Sequence, residues 1–138
     1  MNIQALVFDL DGTAIPQTFK GMPSQAVINA VRKAKKVCHV SIATGRPLDL
    51  AIDILNALKI DDLSILSGGA SLYSSKNNAY VWKQEMDPLL LQEVYFKLKK
   101  FGAHNVEDDR RLGIVPLSTY HPDGAICLTC IFSVNKEE

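Results

Sequence analysis

Two carboxylates spaced two apart, Asp9 and Asp11, follow directly on the apolar run from Ile3 to Phe8, and Gly12 and Thr13 come next. An apolar run of this length bounded by turn residues reads as a strand buried on both faces, as in a parallel sheet. Open α/β sheets place their ligands at the carboxyl ends of such strands. Asp9 and Asp11 share a strand parity, so they point the same way if the extended geometry continues. Close carboxylates repel, and one is driven neutral unless a cation lies between them. Mg²⁺ suits that position, because it needs one or two carboxylates and takes its other ligands from water and phosphate. Gly12 lets the backbone turn sharply and come close to a ligand. The second group is Thr44-Gly45-Arg46-Pro47. A hydroxyl, a glycine N–H and a helix start make an anion site, and Arg46 adds charge. Taken singly, each group also reads blandly, as an acidic strand–loop and as a Thr-Gly turn with a surface arginine. Their placement at the ends of two successive strands argues against that.

The elements that must position these groups follow from the pattern. After a polar, Pro- and Gly-containing loop from Ala14 to Pro23, Ser24 is an N-cap for a helix to about Lys36, with Ala26, Val27, Ala30, Val31 and Ala34 on one face. Val37 to Ala43 reads as a second strand, which makes a βαβ unit with parallel strands. Pro47 suits a first helical turn, and Leu48, Ala51, Ile54, Leu55 and Leu58 carry that helix to about Lys59. Leu63 to Leu66 is a third strand leading into Ser67-Gly68-Gly69, and Ser71–Ser75 with Ala79–Lys83 forms a hairpin. Asp87-Pro88 opens a further helix, with the stripe Leu89, Leu90, Val94, Leu98 and Phe101 and a stop at Gly102. From Ala103 to Pro122 no periodicity stands out; Ala125 to Val134 is a strand candidate.

Asp9-Leu10-Asp11-Gly12-Thr13 resembles motif I of the haloacid dehalogenase superfamily of phosphohydrolases. Thr44-Gly45-Arg46-Pro47 resembles its motif II, in the form found in the Cof-type subfamily with a class IIB cap. The resemblance implies an α/β fold, a Rossmannoid parallel sheet with the start of an α+β cap. Residues 1–84 are the N-terminal part of the core and 85–138 a partial cap. It implies Asp9 as the nucleophile that forms an aspartyl-phosphate, and Asp11 as acid and base. Mg²⁺ is then held by the Asp9 carboxylate and the Asp11 main-chain carbonyl. Main-chain N–H groups at Leu10 and Asp11, the Thr44 hydroxyl and the Gly45 backbone bind the phosphoryl oxygens, with Arg46 as a further substrate-side residue. The implied substrate is a small phosphate monoester, such as a sugar phosphate.

The chain departs from the family pattern in one respect. It contains no Gly-Asp dipeptide, hence no Gly-Asp-x-x-x-Asp motif IV, and no motif III lysine after a returning core strand. The sequence reads as ending inside the cap. This opens a second reading, a truncated non-catalytic relative that binds a phospho-ligand or a protein, with an open sheet edge available for self-association. A phospho-acceptor receiver domain is a poorer match, because it carries its acceptor Asp on the third strand, which here ends in Ser67-Gly68-Gly69.

Composition narrows the partners. The 138 residues are 47% hydrophobic and 22% charged with zero formal net charge, which fits a globular protein and gives no pull towards nucleic acid or an anionic membrane. No apolar run approaches the ~20 residues of a membrane span. The start lacks the basic region of a signal peptide, and three cysteines make no disulfide framework, so a reducing cytoplasm is expected. Cys127 and Cys130 sit three apart, and on a strand they would face opposite ways. His39 reads as packed in the second strand and His104 and His121 as loop residues; Glu107 to Arg111 reads as a solvated charged turn.

Overall fold

The computed structural model describes residues 3–18, 20–108, 115–116, 118 and 128–132. The chain forms two compact units, Met1–Lys83 and Gln84–Glu138. In the first, β1 (Ala5–Phe8) and β2 (His39–Ile42) pair in parallel with Ala5 opposite His39 and Phe8 opposite Ile42. A parallel bridge from Ala43 to Ile65 sets β3 (Leu63–Leu66) beside β2, and the Thr44 N–H donates to the Ile65 carbonyl at 3.0 Å. β4 (Ser71–Ser74) and β5 (Ala79–Lys83) extend β3 as an antiparallel meander. The α/β class and the parallel pairing of the first two strands are those expected.

Two helices cross between the parallel strands. In α1 (Gln25–Ala34) the Ser24 hydroxyl caps the Val27 N–H at 3.3 Å. α2 (Leu48–Leu58) starts behind Pro47 and stops at Lys59, whose φ of 53° is left-handed. α2 buries Leu48, Ala51, Ile54, Leu55 and Leu58, while α1 fully buries only Val31. The core of this unit is therefore the α2 face, Val40 and Ile42 of β2, Leu66 of β3, Ile60, Tyr73 and, at the reactive end, Leu10 and Ile15.

Two expectations fail in this unit. β1 was expected to be buried on both faces, yet Leu6 is 40% and Val7 52% exposed. Among the described residues β1 pairs only with β2, so it is an edge strand here and its apolar side chains lack a covering layer. His39 is not packed. It stands exposed at the start of β2, its Nδ1 3.1 Å from Asp62 Oδ1, while Asp62 Oδ2 accepts the Val40 N–H at 2.9 Å.

In the second unit, Asp87 caps α3 (Pro88–Lys100) by accepting the Leu89 and Leu90 N–H groups at 2.9 and 3.1 Å. β6 (Ala103–Asp108) pairs antiparallel with β7 (Val115–Pro116) and β8 (Leu128–Phe132). The expected apolar stripe of α3 is corrected: Leu91 is its buried anchor, and Leu89, Leu90 and Phe101 are exposed. The inner face is Leu91, Val94, Tyr95 and Leu98, at helical spacing. Three leucines in a row surround the helix start, so the pattern there does not single out one face. His104 lies in β6, not in a loop. Cys127, His121 and Asp109 to Arg111 lie outside the described residues. Among the described residues no helix is long and apolar enough to cross a membrane.

Candidate active site

The turn after β1 is built around Leu10. Its side chain is fully buried, and its carbonyl accepts the N–H groups of Thr13, Ala14 and Ile15 at 3.1, 2.9 and 3.0 Å. Gly12 closes the turn by donating to the Ile15 carbonyl at 2.9 Å, at a φ of +76° that favours glycine. Ile15 is buried as well, so two apolar side chains pin the turn into the core. Asp9 and Asp11, on either side of Leu10, are thereby left outside it. Asp9 is exposed, and the Thr13 hydroxyl donates to its Oδ2 at 3.4 Å.

The turn after β2 faces the same region. Thr44 is buried, and its Oγ1 accepts the Arg46 N–H at 3.2 Å, which leaves the hydroxyl hydrogen as a donor. The β3 loop is tied to this turn, because Ser67 N–H donates to the Arg46 carbonyl at 2.9 Å and Gly68 N–H to the Thr44 carbonyl at 3.1 Å. Asp9, Ala43, Thr44, Gly45, Ile65, Gly68 and Gly69 together line a cavity of about 310 Å³ at the carboxyl ends of the parallel strands. A larger hollow of about 490 Å³, lined by Gln4, Lys36, Cys38 and His39 among others, lies at the opposite ends of β1 and β2, away from the carboxylate pair.

Asp11 does not share the cavity. The Arg46 Nε donates to both its carboxylate oxygens at 3.2 and 2.9 Å, and Nη2 donates to Oδ1 at 2.6 Å. These hydrogen bonds, opposed by partial burial and aided by the charge of Arg46, hold the Asp11 carboxyl below its usual range. The same contact keeps the guanidinium firmly charged.

Of the residues singled out in the sequence, Asp9, Thr44 and Gly45 come together at the cavity. Leu10 is the buried pivot, whose side chain faces the core. Arg46 and Asp11 form a pair beside the cavity and not within it. Gly68 and Gly69 are cavity residues that the sequence reading did not assign to the site. The glycine doublet is the signal, since both adopt positive φ, 65° and 98°. The Thr18 and Leu50 carbonyls, which hold Arg46, carry no sequence signal at all.

The donor set suits a hard cation in part. Asp9 offers an exposed carboxylate, while the Asp11 carboxylate is committed to Arg46. Among the described residues no three His, Cys, Asp or Glu side chains gather to hold a metal.

A model of the haloacid dehalogenase-like hydrolases matches residues 6–113. No curated protein matches the chain. Among solved structures, a haloacid dehalogenase-like hydrolase from Bacteroides thetaiotaomicron is 14% identical, with a TM-score of 0.63 over 76% of this chain and 40% of that one. A subclass IIB sugar phosphatase is 23% identical, with a TM-score of 0.60 over 80% of this chain and 42% of its own. A haloacid dehalogenase-like hydrolase from B. subtilis is 24% identical, with a TM-score of 0.62 over 78% and 36%. The chain thus spans about two-fifths of the length of the structures it resembles, and at these identities the likeness is one of fold.

Proposed function

This chain belongs to the haloacid dehalogenase-like hydrolases, and from that premise we propose that it acts on a small phosphate monoester through Asp9. The observation that carries the reading is the meeting of the Asp9 carboxylate with Thr44 and Gly45 in one cavity at the ends of parallel strands. An Asp9 oxygen attacks phosphorus, the bond from phosphorus to the ester oxygen breaks as Asp11 gives that oxygen a proton, the alcohol leaves, and the phosphoryl group is left on Asp9. The Thr44 hydroxyl and main-chain N–H groups of Leu10, Asp11 and Gly45 are the donors to its oxygens. Asp11, left as a carboxylate, then takes a proton from the water that cleaves the aspartyl-phosphate and frees inorganic phosphate. Mg²⁺ bound by the Asp9 carboxylate and the Asp11 main-chain carbonyl would offset the negative charge between nucleophile and phosphate.

On this reading residues 1–84 are core and 85–138 the beginning of a cap that selects the alcohol half of the substrate. A sugar phosphate is the substrate class, after the sugar phosphatase whose fold the chain shares. A second reading, a phospho-ligand-binding relative without turnover, is favoured by the sequence, which holds no Gly-Asp-x-x-x-Asp motif.

The test is Mg²⁺-dependent hydrolysis of p-nitrophenyl phosphate by the purified chain and its Asp9→Asn variant, with inorganic phosphate binding measured alongside. Turnover abolished by a chelator and by Asp9→Asn is the expected result. Saturable phosphate binding without turnover selects the second reading. A folded chain that neither binds phosphate nor hydrolyses the ester refutes both.

A further inference from the structure

We infer that Arg46 is a positioning residue, a clamp that holds the Asp11 carboxylate against the 16–18 loop and α2, and not a ligand of the phosphoryl group. This rests on the phosphoryl-transfer reading above and assigns a part within it that the motif resemblance gives to substrate binding. A guanidinium carries five N–H donors in a rigid fork. Four are accounted for by protein acceptors: Nε–H on the two Asp11 oxygens, Nη2 on Asp11 Oδ1 and on the Thr18 carbonyl at 3.0 Å, and Nη1 on the Leu50 carbonyl at 3.3 Å. The side chain is only 11% exposed, against 34% for Asp11.

Its surroundings point the same way. Arg46 does not line the Asp9 cavity; it forms a wall of a neighbouring hollow of about 330 Å³ with Lys20, Met22, Asp49 and Asp53. Its main chain is fastened on both sides, donating to Thr44 Oγ1 and accepting from Ser67 N–H, so the side chain leaves from a fixed point. To reach a phosphate, the guanidinium would have to surrender a bidentate carboxylate and two carbonyls at once. Such planar pairs are among the stronger contacts a protein makes, and lysine, a single point charge, does not reproduce them.

The part played follows from the covalent chain. Asp11 lies two residues beyond Asp9 and shares its turn, so the clamp fixes the acid–base carboxylate relative to the nucleophile. It also ties that carboxylate to the Thr18 loop and to the first turns of α2. A carboxylate displaced by about 1 Å costs on the order of 100-fold in rate, while phosphate affinity is unaffected by its aim.

The experiment compares wild type, Arg46→Lys and Arg46→Ala in the whole chain, with p-nitrophenyl phosphate turnover and inorganic phosphate affinity measured on each. The expected result is a kcat lower by about 100-fold in both variants with phosphate affinity changed less than about threefold, and partial recovery of Arg46→Ala by free guanidinium. Phosphate affinity falling in step with kcat, or kcat unchanged, overturns the inference. A second measurement needs neither variant nor turnover. In wild type the Arg46 Nε–H resonance, set by its bond to Asp11, keeps its position when inorganic phosphate saturates the site; a large displacement assigns Arg46 to phosphate and refutes the clamp. If wild type fails to bind phosphate at all, the phosphoryl-transfer reading falls first and the clamp with it. That outcome differs from a bound phosphate that moves Arg46.

Discussion

Leu10→Ala probes how the reactive turn is held. Leu10 lies between Asp9 and Asp11 in the chain with its side chain fully buried in the core, and its loss removes three carbons from that core. At ~0.8 kcal/mol per methylene the transfer loss is about 2.4 kcal/mol. The residual cavity raises such changes into a range of about 2–5 kcal/mol. Taking about 3 kcal/mol for a unit of this size, the melting temperature falls by roughly 12–24 °C. Trp82, the only tryptophan, lies in the same unit, so its fluorescence during urea unfolding reports this unit selectively. With a urea slope of ~1 kcal/mol per molar, the midpoint drops by about 3 M at an unchanged slope. Val37→Ala is the control. Val37 is 78% exposed, and its truncation shifts stability by less than about 0.5 kcal/mol. A Leu10→Ala midpoint within the spread of that control would show that the turn is not anchored through Leu10, and the account of why Asp9 and Asp11 stay outside the core would fail with it.

Two further outcomes follow from the same turn. The folded Asp11 carboxyl titrates below its unfolded value, so the Asp11–Arg46 pair contributes stability that is complete above the ordinary carboxylate range and lost as pH falls through the folded value. Melting curves of wild type and Asp11→Asn should therefore differ near neutral pH and converge in acid below about pH 4; a gap constant across that range contradicts the ion pair. At Gly12 a Cβ would meet nothing closer than Gln17 Oε1 at 3.9 Å, so the cost of Gly12→Ala is the left-handed backbone alone, roughly 1–2 kcal/mol. Urea midpoints measure it, with Gly12→Asn recovering part of the loss; an alanine variant as stable as wild type means the turn has another conformation.

The helices, the hairpin and the parallel pairing of β1 with β2 were legible in local patterns. Ser24 and Asp87 are N-caps in the sequence and in the structure, because capping is decided by the two or three residues beside the side chain. The Leu63–Leu66 strand and the Ala79–Lys83 strand likewise follow from short apolar runs between turn residues. The strand β6 was not legible, since Ala103–Asp108 alternates no clear apolar face and is held by pairing with β7 and with the more distant β8. The buried side of α3 was misjudged for a related reason: Leu89, Leu90 and Leu91 are equally apolar, and only the layer packed on the helix chooses Leu91.

For the candidate site, the residue types at Asp9, Asp11, Thr44 and Gly45 and their spacing at two strand ends sufficed to propose phosphate chemistry, because strand parity and helix starts are short-range geometry. Which of them share a cavity is a tertiary matter. Asp9 and Asp11 have one parity, yet the turn pinned by Leu10 and Ile15 brings Asp9 to Thr44 while Arg46, 35 residues on, draws Asp11 aside. The exposure of β1 was equally out of reach, since an apolar run states that a strand can be buried and not whether a layer covers it. The sequence by itself determined the reactive groups and the local elements that present them. Tertiary contacts alone decided which carboxylate faces the cavity, because a guanidinium can choose its partner only when distant segments have been brought within hydrogen-bonding distance.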